Sequence, residues 1–282
     1  MMGMVKNMIP SIIKKVFQTN EYRLSDLDKG ISNRNYLLQV NGLFYVLRVP
    51  KVNDIFDRSL EYEVLKKVKV LGIDIPFSYY DMETGIKITP YIEDLQEFSR
   101  YQHPSKIKEV AMLIRKLHDA KIKTHTRFNP LDKLVQYQNG ITTPLFPYHT
   151  FQHIIATVKS YHCEEILCHN DIVSGNLCFT ENKTYLIDYE YAGDNDPLFD
   201  LMSFITENTL SPEEEKEFLY HYFSSNPTTE IKRNLEMWRN FHNLLWLSWA
   251  NMMYDKTSES TFLTIAQEKY LALQSMSKHK DT

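Results

Sequence analysis

The chain has 282 residues, of which 43% are hydrophobic and 24% charged, ordinary values for a globular protein able to bury a large core. A formal charge of -4 excludes a basic nucleic-acid-binding surface, and three cysteines, Cys163, Cys168 and Cys178, with no Cys-x-x-Cys pair exclude a disulfide framework. No stretch approaches the roughly 20 apolar residues needed to cross a bilayer, and lysines interrupt the apolar residues of Met1 to Gln18, so neither membrane insertion nor a signal peptide is expected and the chain reads as cytoplasmic.

In chain order, Asp28 to Tyr36 is a candidate phosphate-covering turn. It is not glycine-rich: the chain has 8 Gly and lacks both Gly-x-x-x-x-Gly-Lys-Ser/Thr and Gly-x-Gly-x-x-Gly. Phosphates would be met there by backbone amides and by the Ser32 and Asn33 side chains. Arg34 to Val40 and Leu43 to Val49 read as two strands joined by Asn41-Gly42, a strong hairpin signal. Asp57 to Leu71 reads as a helix. Phe77 to Asp81 and Gly85 to Pro90 read as two more strands, with Met82-Glu83-Thr84 between them. Strand, strand, helix, strand, strand predicts a small β-rich N-terminal lobe over residues 1–92. Its last segment, Pro90-Tyr91-Ile92-Glu93, is the expected hinge, where the backbone of Tyr91 and Ile92 could hold a nucleobase. Arg48, late in the second strand where protein kinases place a lysine, is expected to steady the phosphates and to pair with Glu61 on the helix.

Residues 93–282 form the expected C-terminal lobe, which is mostly helical. Pro104 to Ala120 carries Ile107, Val110, Ala111, Ile114 and Leu117 at helical spacing, the pattern of a core-facing stripe. His118 at its end reads as a structural hydrogen-bonding residue. Glu213-Glu214-Glu215 reads as a solvated helix start after Ser211-Pro212.

The run His169-Asn170-Asp171-Ile172-Val173-Ser174-Gly175-Asn176, followed by Leu186-Ile187-Asp188, carries the chemistry. An Asp, an Asn five positions on, and an Asp closing a hydrophobic strand is the order of parts in a kinase catalytic loop and its metal turn. Asp171 can accept a hydrogen bond from an acceptor hydroxyl. Asn176 and Asp188 supply the oxygen ligands that magnesium prefers, with Glu190 as a further ligand, so Mg2+ and ATP are the expected cofactor and donor. His169 heads the run as a structural residue. Asp200 is read either as a brace accepting backbone hydrogen bonds from this loop or as an ordinary helix-start carboxylate. His-Asn-Asp replaces the His-Arg-Asp of protein kinases, Asp188-Tyr189-Glu190 replaces Asp-Phe-Gly, and Ala-Pro-Glu is missing, so the acceptor is expected to be a small molecule.

Leu235 to Tyr254 reads as a long helix bearing Trp238, Phe241, Trp246, Trp249 and Tyr254. Trp246 and Trp249 are three apart and share a face. Such a stripe suits a core, and it also suits a cation–π wall for a quaternary ammonium group, with Tyr191 and Glu207 completing the box.

Taken together, His-Asn-Asp-x-x-x-Gly-Asn, Leu-Ile-Asp-Tyr-Glu-Tyr-Ala, Asn195 to Asp200, Glu207 and Trp246-x-x-Trp249 resemble the choline/ethanolamine kinase family. The small lobe is similar to its bacterial branch, the choline kinases that feed phosphocholine to cell-surface glycans, at Gly30 to Tyr36, Tyr45 to Arg48, Glu61 and Tyr80 to Lys87. The resemblance spans about residues 28 to 272. It implies an α+β, protein-kinase-like fold of the aminoglycoside phosphotransferase/choline kinase type, Mg-ATP as donor, and choline held by Trp246, Trp249, Tyr191 and Glu207. Two departures stand out. After Glu207 the animal enzymes continue with aromatic residues, where this chain has Asn208-Thr209-Leu210, and a tyrosine of their last helix falls on Ile265, leaving Phe262 or Tyr270 as substitutes. Ethanolamine or another amino alcohol therefore stays open beside choline, as do the thiamine, sugar and aminoglycoside acceptors of the same fold. A nucleotide-binding pseudokinase would have no need of Asp171, Asn176 and Asp188 together.

Overall fold

The computed structural model of the protein describes residues 2–28, 33–51 and 57–278. In chain order its elements begin α1 (Met2–Phe17), β1 (Arg23–Asp28), β2 (Asn33–Val40), β3 (Leu43–Pro50), α2 (Arg58–Leu71), β4 (Tyr79–Tyr80), β5 (Lys87–Pro90) and β6 (Gln96–Glu97). They continue α3 (Lys106–Asp119), α4 (Pro130–Asn139), α5 (Gln152–Ser160), β7 (Ile166–Cys168), β8 (Leu177–Phe179), β9 (Thr184–Leu186) and β10 (Gly193–Asn195). The last four are α6 (Pro197–Glu207), α7 (Pro212–Phe223), α8 (Thr229–Thr257) and α9 (Ser260–Lys278). Among the described residues, no helix is long and apolar enough to cross a membrane.

Two compact units emerge. The first is Met1–Tyr101 with Gly175–Tyr191, and the second is Gln102–Ser174 with Ala192–Thr282. The division expected near residue 92 therefore moves to 101, and a second stretch joins the first unit. Hydrogen bonding explains the transfer. The β8–β9 hairpin pairs through β8 with β6, and the Leu186 amide donates to the Ile73 carbonyl at 2.8 Å.

In the first unit an antiparallel sheet runs in the order β1-β2-β3-β5-β4. Asn41 and Gly42, with φ of 52° and 77°, make the tight turn between β2 and β3, where positive φ at both central residues suits the strand twist. Ile9, Ile12 and Ile13 of α1 recur on one helical face and pack with Leu38, Val40, Leu47, Val49, Ile86 and Ile88 to form a buried cluster. Helix α2 starts where Asp57 accepts the Leu60 amide at 3.0 Å and stops at Gly72, whose φ of 64° is the left-handed cap that glycine adopts freely. The sequence expectation lacked α1 and β1. Pro10 within α1 argues against a helix, and Arg-Leu-Ser-Asp-Leu-Asp is a polar edge strand without β-branched residues.

The second unit is mostly helical. The expected stripe on α3 is buried, and α7 opens with a capping box between Ser211 and Glu214. The 29-residue α8 carries the core, burying Leu235, Trp238, Phe241, Leu244 and Leu247. Trp238 belongs wholly to this core. It is 3% exposed, and its indole donates to Asp196 Oδ2 at 2.6 Å. His242, one turn on, is fully buried with Nε2 on the Phe199 carbonyl at 3.0 Å, and burial pushes its pKa down to about 3. The imidazole thus stays neutral in the fold while the unfolded chain takes up a proton near pH 6.5, so stability is full above that pH and falls as pH drops toward 3. His242→Gln is expected to flatten this acid-side loss, which amounts to roughly 1.4 kcal/mol per pH unit below 6.5. Chemical denaturation of both proteins at pH 7.5, 6 and 5 checks it.

Candidate functional site

Within the first unit, strand alternation divides β3 between two jobs: Leu47 and Val49 enter the apolar core, while Arg48 faces the other way. Arg48 is 6% exposed. Its Nη2 meets Glu61 Oε1 at 2.5 Å and its Nη1 pairs with Asp188. Glu61 in turn accepts Arg58 Nη1 at 2.9 Å and the Tyr80 hydroxyl at 2.7 Å on its other oxygen. Arg58 Nη1 lies 3.6 Å from Glu190, and the Asn33 amide donates to Asp188 at 3.2 Å and Glu190 at 3.4 Å. The structure thus brings Asn33, Arg48, Glu61, Asp188 and Glu190 together. Ser32 lies outside the described residues.

Burial pushes the Glu61 carboxyl up, but Arg48, Lys87, Tyr80 and Arg58 overcome it and hold its pKa at about 2. Burial likewise opposes the Arg48 charge, and Asp188, Glu61 and Glu190 reverse that, so the guanidinium is held above its ordinary value. A network of this kind tolerates no missing partner, because a charge left buried alone costs several kcal/mol.

Arg58 and Tyr80 carry no motif label, but the turn after β4 shows why they matter. Asp81 Oδ1 accepts the Thr84 amide at 2.9 Å and the Thr84 hydroxyl at 2.8 Å, closing the turn. Gly85 follows at φ 70°, and a β-carbon there would stand 2.6 Å from Arg58 Nε. Its carbonyl accepts Arg48 Nη2 at 3.4 Å. The stretch Tyr80 to Lys87 therefore shapes the seats of both arginines.

Asp188 has φ 68°, a left-handed conformation that Asp tolerates better than most residues and that is uncommon outside special sites. The Ile187 amide donates to the Asn176 carbonyl at 2.9 Å, so the two expected metal-holding residues flank the β8–β9 hairpin. Asn176, Asp188 and Glu190 offer an all-oxygen donor set, which fits a hard divalent cation such as Mg2+.

A cavity of about 710 Å³ opens beside these residues, lined among others by Val46, Arg48, Thr89, Tyr91, Ile92 and Asp188. The Tyr91 amide is not available to a ligand, since it donates to the Phe44 carbonyl at 3.0 Å and extends the sheet. Of the backbone expected at the hinge, the Tyr91 amide is thus spent within the sheet, while Tyr91 and Ile92 both line the cavity. Asp74, 5% exposed on the same wall, is pushed up to a pKa of about 6 by burial.

In the second unit, β7 delivers His169 and Asp171. Asp200, fully buried in the first turn of α6, accepts the amides of His169 at 2.7 Å and Asn170 at 2.6 Å. Its position near a helix start is incidental, because Asp196 is the N-cap. His118 Nε2 reaches Asp200 at 3.1 Å and its Nδ1 meets the Tyr222 hydroxyl at 2.8 Å. Asn170 has φ 67°, donates to the Gly193 carbonyl at 3.4 Å and accepts from Asn195 at 2.8 Å. That lock explains why an asparagine stands before Asp171. Half-buried Asp171 donates its amide to His169 Nδ1 at 3.3 Å, and Ser203 accepts the Ile172 amide at 2.9 Å.

Trp246 and Trp249 stand edge to face at 5.4 Å, and Phe262 of α9 continues the run against Trp249 at 5.4 Å. Tyr270 turns elsewhere, onto Phe146 and Phe151. Glu207 is ion-paired with Lys269 at 2.8 Å. Tyr191, partly buried, ends a short 3-10 turn, Tyr189–Tyr191, in the first unit.

The profile of the Phosphotransferase enzyme family matches residues 23–233. The chain belongs to this family. It is 27% identical over 242 residues to Protein LicA of Haemophilus influenzae, a match covering 79% of this chain and 71% of that protein. Two solved structures share its fold: choline kinase LicA from Streptococcus pneumoniae, with a TM-score of 0.81, 22% identity and coverage of 96% and 99% of the two chains, and LicA in complex with AMP, with a TM-score of 0.77, 22% identity and coverage of 95% and 98%. The chain is thus a kinase of the aminoglycoside phosphotransferase/choline kinase family, with an α+β, protein-kinase-like fold.

Two outcomes follow from the charge network. Gly85→Ala forces the Arg58 side chain away from Glu61 and strains the left-handed turn, so a loss of about 1–3 kcal/mol in stability and a fall in kinase activity are expected, measurable by denaturant titration and ADP release. Asp74→Asn is expected to stabilise the protein at pH 7. The folded-state pKa of about 6 lies above the usual 3.8, so the carboxylate opposes folding above pH 6 and stability falls as pH rises from about 4 to 6. The gain is about 2–3 kcal/mol at pH 7 and vanishes near pH 4, which paired melts at the two pH values would register.

Proposed function

We propose that the chain is a choline kinase, transferring the γ-phosphate of ATP to the hydroxyl of choline to give phosphocholine and ADP. The observation that carries the acceptor is the contrast among its three tryptophans. Trp238 is sealed in the core with its indole satisfied by Asp196, whereas Trp246 and Trp249 keep part of their rings exposed. An aromatic corner of this kind suits a quaternary ammonium, which cannot donate hydrogen bonds and is attracted to ring faces. The Glu207–Lys269 pair supports the same choice: with its carboxylate already matched, Glu207 offers less to the primary ammonium of ethanolamine, which needs hydrogen-bond acceptors.

In the proposed reaction the choline oxygen forms a bond to the γ-phosphorus as the bond to the β-phosphate oxygen breaks, and ADP leaves. Asp171 orients the hydroxyl and takes its proton, held in place by the Asp200 brace on the preceding amides. Asn176 and Asp188, with Glu190 beside them, would hold Mg2+, which would supply positive charge to offset that of the phosphates. Arg48 and Glu61 fix Asp188, and the Tyr91 carbonyl and Ile92 backbone would hold the adenine. Tyr191 is the remaining aromatic candidate for the acceptor. An ATP donor fits a cytoplasmic site of action.

ADP release with Mg-ATP and, separately, choline, ethanolamine, thiamine and an aminoglycoside tests this reading. Turnover with choline is expected, falling roughly 10²- to 10⁴-fold in Asp171→Asn, while Trp249→Ala raises the KM for choline about tenfold with a smaller change in kcat. Turnover with a different acceptor alone would discard choline and keep the kinase. Nucleotide binding without turnover of any of the four would point to a pseudokinase.

A further inference from the structure

Strands β3 and β5 pair in register with Arg48 opposite Lys87. On β5, as on β3, the period of two sorts the side chains, sending Ile86 and Ile88 into the apolar cluster and Lys87 with Thr89 to the wall of the cavity that Val46 and Arg48 also line. Two cations therefore stand side by side on one wall, and their surroundings differ. Arg48 is committed to Glu61, Asp188 and the Gly85 carbonyl. Lys87 is only 7% exposed, yet its ammonium makes no hydrogen bond or ion pair among the described residues.

Its two anionic neighbours do not fill that vacancy. Glu61 and Asp74 act on Lys87 only through space, and both Glu61 oxygens are already held by Arg48, Arg58 and Tyr80. An ammonium buried without a partner is costly, so a chain that keeps one at a cavity wall gains from a state in which an anion meets it. A lysine also differs from an arginine in what it suits: a compact charge with rotatable donors follows a flexible phosphate chain, whereas the planar guanidinium fork is matched to fixed carboxylates.

Resting on the reading of this cavity as the nucleotide site, we propose that Lys87 is the cation of the first unit that binds the phosphates of the nucleotide, and that Arg48 works chiefly to hold Asp188 and Glu61. The position usually credited with the phosphate contact is thereby occupied by a structural arginine, and the neighbouring strand supplies the free charge.

The test is direct binding without acceptor. Mg-ATP and adenosine are titrated calorimetrically into the unsubstituted protein, Lys87→Met, Lys87→Gln and Lys87→Arg. The readout is the ratio of ATP to adenosine affinity, which is insensitive to a change in the folded fraction. In Lys87→Met and Lys87→Gln the ratio is expected to fall roughly tenfold or more, the size of one lost charge-assisted hydrogen bond, with adenosine affinity nearly unchanged and Lys87→Arg recovering most of the loss. An unchanged ratio in both neutral variants, with lowered melting temperatures, would make Lys87 a counter-charge for Glu61 and Asp74 and overturn the proposal. Failure of the unsubstituted protein to bind either compound would instead remove the nucleotide site itself, and the proposal with it.

Discussion

Arg48 is held between Glu61 of α2 and Asp188 beyond β9, two carboxylates far apart in the sequence, and much of the site is arranged around that one guanidinium. The planar fork of arginine presents donors in two directions at once, so a single buried side chain can hold both anions. Arg58 repeats the device one layer on, touching Glu61 and Glu190. Two cations and three carboxylates then balance closely enough to remain charged out of water. The consequence for function is placement: the turn from Asp188 to Glu190, with its left-handed Asp188, is fixed by partners on α2, β2 and β3 rather than by its own conformational preference.

The second unit solves a comparable problem with hydrogen bonds in place of ion pairs. The loop preceding Asp171 has no regular partner strand for its amides, and the buried Asp200 takes two of them while His118 and Tyr222 hold Asp200 in turn. Asn170 in the left-handed region is stitched to Gly193 and Asn195. Where a β-carbon on Gly193 would come within 3.1 Å of the Thr126 carbonyl, only glycine lets the strands approach. A catalytic carboxylate gains reach and a defined direction from such a loop, since general-base catalysis depends on geometry before it depends on pKa.

The proposed acceptor is read from what is left exposed. Of the five aromatic residues of α8, Trp238 and Phe241 are sealed in the core, whereas Trp246, Trp249 and Tyr254 are only partly buried. Trp246 and Trp249, backed by Phe262, form the aromatic corner that the proposed acceptor would use. Of the two residues expected to stand in for a tyrosine of the last helix, Phe262 lies against Trp249 and Tyr270 does not, turning onto Phe146 and Phe151.

The kinase order of Asp171, Asn176 and Asp188, the β2–β3 hairpin, the α2 boundaries and the stripe on α3 were legible in the chain because each is a local signal: spacing along a loop, a turn dipeptide, a cap, a helical period. Helix α1 and strand β1 were not, since Pro10 and a polar edge strand contradict local propensity, which packing on β2, β3 and β5 overrides for α1 and pairing with β2 overrides for β1. Residue identity announced Arg48 and Glu61 but not Arg58, and it marked the stretch Tyr80 to Lys87 without giving the roles of Tyr80 and Lys87, which depend on the turn at Gly85 and on which face of β5 meets the cavity. Likewise Asn33, expected on phosphates, bonds carboxylates, and the Tyr91 amide, expected on a base, completes a sheet. The sequence by itself determined the phosphotransferase family, because Asp171 and Asn176 share one loop at a fixed spacing and Asp188 closes a hydrophobic strand. Tertiary structure alone decided which charges are already matched and which remain for a ligand, because partners drawn from distant segments meet only when the chain is folded.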